Sequence, residues 1–215
     1  MARPKRQGER RQQLIRAAQR VIAQHGLSGV KLSLIAGEAG LTSGAVLYYY
    51  PEVDELVLEA ISLSMHRFYE ERARMLEALD DDPALRLVRL IEAGLPVNGE
   101  DVEVRLFCQM GGAAGSNPLA ATLLTSLFDR QVSLYQVVLE QGRARGLFAP
   151  GGPSTLSMAR NIVALEDAYG YRIVAGHGTI DGQAAVELVL DYARTVTGHE
   201  LPRDDVRDGA AVTAH

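Results

Sequence analysis

The sequence predicts an all-α chain of about nine helices, a small N-terminal head followed by a larger helical body. Three observations carry this. Apolar residues recur at helical rather than strand spacing along most of the chain. Proline and glycine collect in short runs between those stretches, where a helix stops or turns. The segment Ile35-Ala36, Ala39-Gly40-Leu41, Thr42-Ser43-Gly44-Ala45 and Val46 to Tyr50 reads as two short helices meeting at a tight turn, a helix-turn-helix.

In chain order, Leu14, Ile15, Ala17, Ala18, Val21 and Ile22 predict a first helix from about Arg10 to Gln24, stopped by His25-Gly26. In the turn motif, Ala36 is small where two helices touch, Gly40 allows a positive φ, and Val46 closes the core behind the second helix. Thr42 suits an N-cap. The short residues Ser43, Gly44 and Ala45 leave the front of that helix free to approach phosphates or base edges, so Thr42 to Tyr49 reads as a recognition helix. The same positions also suit an ordinary helical hairpin, and the flanking charge decides between the two readings. Pro51 ends the recognition helix. Glu52, Asp54 and Glu55 then place negative charge at the start of a long helix with the apolar face Val53, Leu56, Val57, Ala60, Ile61 and Phe68, expected to join head and body.

Residues 1–50 hold eight Lys and Arg, including Arg3, Lys5, Arg6, Arg10, Arg11 and Lys31, against Glu9 and Glu38. That end is net +6, so the remainder is −11 in a chain of −5. A basic head on an acidic body fits a protein that meets double-stranded DNA at one end and is repelled elsewhere.

From Pro83 onward the periodicity predicts helices over Leu85–Ala93, Val102–Ala114, Pro118–Arg145, Pro153–Ala175 and about Asp181–Thr197. The separators are Leu95–Gly99, Gly115–Asn117, Gly146–Gly152 and Gly176–Gly178. The last two helices carry broad apolar stripes that include Ile162, Glu166, Tyr169, Gly170 and Ile173 on one and Leu188 and Tyr192 on the other. Such stripes are either wholly intrachain core or a four-helix interface with a second copy of the chain. Residues 200–215 lack a sustained apolar face and are expected to form a mobile tail.

These residues resemble the TetR-type transcriptional regulators: Ala17-Ala18, Gly26, Ile35-Ala36, Ala39-Gly40-Leu41, Gly44 and Tyr49-Tyr50-Pro51 through Leu56 match that family's pattern over roughly the first 60 residues. The resemblance implies an all-helical homodimer with a DNA-binding head and a ligand-binding and dimerisation body, usually a repressor that a small molecule releases from its operator. The expected division is 1–51 for the head, 52–199 for the body and 200–215 for the tail. The pattern departs at Leu47, where tyrosine is common, at Val53, where a phosphate-contacting lysine is common, and at Val30-Lys31, where a hydroxyl residue often caps the second helix. Arg10, Arg11, Lys31, Thr42, Ser43, Gly44, Ala45, Tyr48 and Tyr49 are therefore the expected DNA contacts, with Lys31 or Arg10 and Arg11 compensating for Val53. Tyr50 is expected to pack inward.

Candidates for an effector site lie between the linking helix and the body, where Met65, Phe68, Tyr69, Phe107, Met110, Phe128 and Tyr135 supply aromatic or flexible apolar side chains. Arg105, Gln109, Gln131, Asn161, Glu166 and Asp167 are polar residues on apolar helices that need partners if they face inward. Glu166 and Asp167 are adjacent, so on a helix they diverge by about 100° and form no acid/base pair. The five histidines are scattered, and neither a His-Glu-x-x-His pair, a phosphate loop nor a Gly-x-Ser-x-Gly elbow is present, which argues against an enzyme, a metal site or a bound cofactor. The single cysteine, Cys108, excludes an internal disulfide and reads as a core thiol. No apolar stretch is long enough to span a membrane, and Arg16, Gln19 and Arg20 interrupt any signal-peptide core, so a cytoplasmic location is expected. The rival reading is a helical adaptor whose basic head binds an acidic protein.

Overall fold

The computed structural model describes residues 3–201, and among them lie nine α-helices, one 3-10 turn and no strand. In order they are α1 (Arg3–His25), the turn Leu27–Gly29, α2 (Leu32–Glu38), α3 (Ser43–Tyr49), α4 (Val53–Ala78), α5 (Pro83–Gly94), α6 (Val102–Ala113), α7 (Pro118–Ala144), α8 (Thr155–Val174) and α9 (Gly182–Thr197). Residues 202–215 of the expected tail, and the side chains of Arg3, Lys5 and Arg6, lie outside the described residues. No helix among the described residues is long and apolar enough to cross a membrane.

Helix starts differ from the sequence reading for identifiable reasons. α1 begins at Arg3 rather than near Arg10, because its first turns are polar on every side and leave no apolar period to detect. α5 begins at Pro83 rather than Leu85: Asp82 accepts the Ala84 N–H, and proline is at ease where a helix has no use for its missing donor. α8 begins at Thr155 with Ser154 as its cap, so Pro153 belongs to the preceding turn. Asp101, Asn117 and Asp181 cap α6, α7 and α9 in the same way.

Three cores form. The head core joins Leu14, Ala18, Ile35, Ala36, Val46 and Tyr50 to Leu56 and Ala60, so the first turns of α4 complete the head. The body core packs α5, α7, α8 and α9 through residues such as Leu90, Ile91, Tyr135, Leu139, Ile162, Val163 and Val189. Between them, Ile22 and Ala23 of α1 meet Ile61 and Met65 of α4, Leu106 and Met110 of α6 and Leu127 of α7. Head and body are thus joined through α1 against α6 as well as through α4.

That packing redirects the stripe on α8. Ile162, Glu166, Gly170 and Ile173, expected on a subunit interface, are buried within their own chain, because this face of α8 is covered by α5, α6, α7 and α9. Tyr169 is half-buried against the body core, Tyr192 is half-buried, and Leu188 is exposed. The outward face of α8 instead presents Asn161, Ala164 and Ala168.

Candidate functional site

The head presents α3 on its surface. Gly40 takes φ 62° at the turn, and the Thr42 side chain accepts the Ala45 N–H at 3.2 Å, which starts α3. Val46 and Tyr50 anchor the helix inward; Thr42, Gly44, Leu47 and Tyr48 face solvent, with Tyr48 73% exposed. Ser43 and Ala45 are half-buried. Tyr49 is partly turned into the head core and meets the Tyr48 ring edge-on, centroids 5.1 Å apart. Lys31 is exposed at the start of α2 and makes no side-chain cap bond there.

Of the two arginines expected beside this surface, Arg10 is exposed and donates to Gln13 at 2.7 Å. Arg11 is committed within the head. Its guanidinium donates to Glu59 at 3.0 Å and lies 4.4 Å over the Tyr50 ring, while the Tyr50 hydroxyl donates to the same Glu59 oxygen at 2.9 Å. Burial and the Glu59 carboxylate push the Tyr50 hydroxyl up to about 12, so it remains a donor. This cluster ties α1 and the end of α3 to α4.

The body contains a cavity of about 370 Å³ that is partly open to solvent. Phe68 of α4, Phe107 and Cys108 of α6, Phe128 and Gln131 of α7, and Glu166, Asp167 and Tyr171 of α8 form much of its wall. Phe68 and Phe107 meet edge-on with centroids 5.4 Å apart, and the Tyr171 hydroxyl donates to the Cys108 carbonyl at 3.1 Å. Two small residues make room for this wall: a Cβ on Gly94 would overlap the Glu166 carboxylate, and one on Gly111 would overlap the Tyr171 hydroxyl.

Behind the wall sits Arg72, 2% exposed. It donates to Gln131, to the Leu90 carbonyl at 3.0 Å, to the Tyr135 hydroxyl at 2.9 Å and to Glu166 at 3.4 Å; Tyr135 in turn donates to Glu166. Burial outweighs Arg72 and Tyr135 and holds the Glu166 carboxyl up at about 7. Asp167 is an exposed residue that also lines the cavity, and partial desolvation there raises its carboxyl to about 6. Among the described residues Asp167 has no hydrogen-bond or ion-pair partner. Although they diverge along α8, Glu166 and Asp167 both line this one cavity.

Six of the candidate effector residues line the cavity: Phe68, Phe107, Phe128, Gln131, Glu166 and Asp167. The others lie elsewhere. Tyr135 stands behind the wall, and Met65 and Met110 fill the core between head and body. Tyr69 carries the Arg130 guanidinium on its face at 3.8 Å, and Arg105 reaches the Gly99 carbonyl and Glu100. Asn161 donates to the Tyr192 hydroxyl at 2.8 Å on the outer face. Gln109 is exposed. Cys108, expected in the core, is half-buried on the cavity wall, and burial with Asp167 nearby pushes its thiol up to about 11. Arg72 and Tyr171 escaped the sequence reading. Arg72 follows Phe68 by four residues, in register with the inward face of α4, and that register was the available signal.

Residues 14–60 match the family model described as bacterial regulatory proteins, tetR family. Residues 14–60 are a TetR-type DNA-binding domain. Among curated relatives, the HTH-type transcriptional regulator BetI of Burkholderia cenocepacia is 29% identical over 192 residues, covering 85% of this chain and 91% of that protein. The HTH-type transcriptional regulator PksA of Bacillus subtilis is 31% identical over 94 residues, 44% of this chain and 45% of that one. Solved structures share the fold: a transcriptional regulator from Saccharomonospora viridis in complex with choline superposes with a TM-score of 0.78 at 24% identity, covering 87% of this chain and 96% of that one. FadR of Bacillus subtilis, in complex with stearoyl-CoA, superposes with a TM-score of 0.69 at 18% identity, covering 88% and 99%. The curated relatives named here are transcriptional regulators, and the segment they share with this chain includes the DNA-binding head.

Proposed function

We propose that this chain is a homodimeric repressor of the TetR family that acts in the cytoplasm, binds a palindromic operator through residues 1–51, and releases it when a small molecule occupies the cavity in residues 52–199. The observation that carries the reading is the placement of α6. One side of that helix gives Phe107, Cys108 and Gly111 to the cavity, while Leu106 and Met110 pack against Ile22 and Ala23 of the DNA-binding head. A ligand that prefers one position of α6 therefore biases the orientation of α1, and with it α3. On the DNA side, the exposed Thr42, Gly44 and Tyr48, with Lys31 and Arg10 beside them, are the proposed contacts, joined by Ser43, Ala45 and Tyr49 at the edge of the surface.

The dimer is proposed to form through the outward faces of α8 and α9, where Asn161, Ala164, Ala168 and Leu188 face solvent and the Asn161–Tyr192 bond lies at the surface. Footprinting on genomic fragments selected by the purified protein should protect two half-sites about 34–36 Å apart or a multiple of that. In sedimentation, Leu188→Glu should convert a dimer to a monomer and weaken operator binding. A wild-type chain that is monomeric on its operator would overturn the dimer, and equal affinity for selected and scrambled duplexes would favour the adaptor reading.

A further inference from the structure

The cavity wall is selective in charge as well as in shape. Four aromatic side chains, Phe68, Phe107, Phe128 and Tyr171, line it together with the carboxyls of Glu166 and Asp167, and no lysine or arginine is among its lining residues. The nearest guanidinium, Arg72, already serves Gln131, Leu90, Tyr135 and Glu166 behind the wall. An anionic ligand would face two carboxyls with no cation of its own to meet. A neutral ligand would strip water from Asp167 and leave it without a partner. A cation satisfies that carboxylate while its alkyl surface lies against the rings, the arrangement that recognises quaternary and methylated ammonium groups. The volume, about 370 Å³, lies near the small end of ligand pockets, roughly 300–1,000 Å³.

We propose that this cavity binds a compact organic cation, a quaternary or methylated ammonium, held between the aromatic side chains of Phe68, Phe107, Phe128 and Tyr171 and the Asp167 and Glu166 carboxylates. The inference rests on the reading of the cavity as the effector site and names the chemical class that site takes. Glycine at positions 94 and 111 is part of the construction, since a methyl at either would displace Glu166 or Tyr171. The surroundings of the two carboxyls make binding and proton release one event. Arg72 faces them from α4, Cys108 from α6, Tyr135 from α7 and Tyr171 from α8, and burial raises both carboxyls above their ordinary values, Glu166 to about 7 and Asp167 to about 6. An arriving cation favours the ionised forms and expels protons.

Calorimetry on the full-length protein tests the class directly, with choline and tetramethylammonium as cations, the neutral dimethylbutanol that replaces the choline nitrogen by carbon, and butyrate as an anion. Choline should bind at least about tenfold tighter than its neutral isostere. Titration in buffers of different ionisation enthalpy should show protons released. Asp167→Asn should lose about tenfold in choline affinity, and Asp167→Glu should restore part of it. Equal binding of choline and dimethylbutanol, tighter binding of butyrate, or no saturable cation binding at millimolar concentration would each overturn the proposal; the comparison among ligands needs no variant. A parallel operator-binding assay on the same preparation separates the two readings. If a selected duplex is preferred over a scrambled one and only a non-cationic metabolite releases it, the regulator reading stands and the cation class falls. If no duplex is preferred, the regulator reading falls, and the calorimetry still judges the cavity's chemistry.

Discussion

Arg72 and Glu166 form an ion pair from α4 to α8, 3.4 Å apart, with side chains only 2% and 3% exposed. The carboxylate is shared with the Tyr135 hydroxyl, and the guanidinium with Gln131 and the Leu90 carbonyl, so the pair is the centre of a network that crosses the body. Removing one member strands a buried charge, which costs about 3–5 kcal/mol. Arg72→Met should therefore lower the thermal midpoint by roughly 6–20 °C for a chain of this size. Adding Glu166→Gln to that variant should recover much of the loss, a coupling that a double-mutant cycle measures directly.

The carboxyls on the cavity wall predict an uncommon pH dependence. A folded-state value above the unfolded one means that the native protein holds the proton more tightly, so stability falls as pH rises through the interval between the two. For Glu166 the interval runs from 4.5 to about 7, and for Asp167 from 3.8 to about 6. Thermal midpoints should decline across this range in the wild type, and Asp167→Asn should flatten the lower part of the decline. A midpoint that rises over the same interval in the wild type but not in the variant would contradict the assignment.

Two substitutions in the head separate folding from recognition. Thr42→Ala removes the cap on the Ala45 N–H and should cost about 1 kcal/mol in denaturant unfolding as well as weakening operator binding. Tyr48→Ala removes a side chain that is 73% exposed, so stability should change by no more than about 0.5 kcal/mol while operator binding falls. A Tyr48→Ala protein with full operator affinity would remove this residue from the proposed contact surface.

The paired glycines of α6 test the cavity wall. At Gly111 a Cβ would overlap the Tyr171 hydroxyl, whereas at Gly112 it meets nothing within 4 Å. Gly111→Ala should break the Tyr171 bond to the Cys108 carbonyl and reduce ligand affinity. Gly112→Ala should leave affinity intact and stabilise the helix by about 0.5–1 kcal/mol. Isothermal titration beside thermal unfolding distinguishes the two.

Much of this architecture was legible in the residues themselves. Periodicity and stop signals placed every helix of the body, and Gly40, Thr42 and Tyr50 announced the turn, cap and anchor that the head uses. What periodicity cannot see is which of several partners covers an apolar face. The α8 stripe is wide because α5, α6, α7 and α9 all lie against it, and a stripe that wide reads equally well as a subunit interface. Arg11 was unreadable for the same reason: its partner, Glu59, lies 48 residues away. The cavity was half legible, since Phe68, Phe107, Phe128, Gln131, Glu166 and Asp167 stood out by type, but Arg72 and Tyr171 acquire meaning only through neighbours distant in sequence.

Because α6 lies between the cavity and α1, the proposed sensing and reading surfaces meet on one helix, with Phe68 of α4 and Leu127 of α7 reaching both the cavity and the core beside α1. On the proposed reading, Cys108 on the cavity side can diversify toward other chemical stimuli while Leu106 and Met110 keep their seat against Ile22 and Ala23. If the proposed function holds, a change of perceived molecule requires no change of target gene, and the chain becomes a scaffold for biosensors retuned on one helical flank.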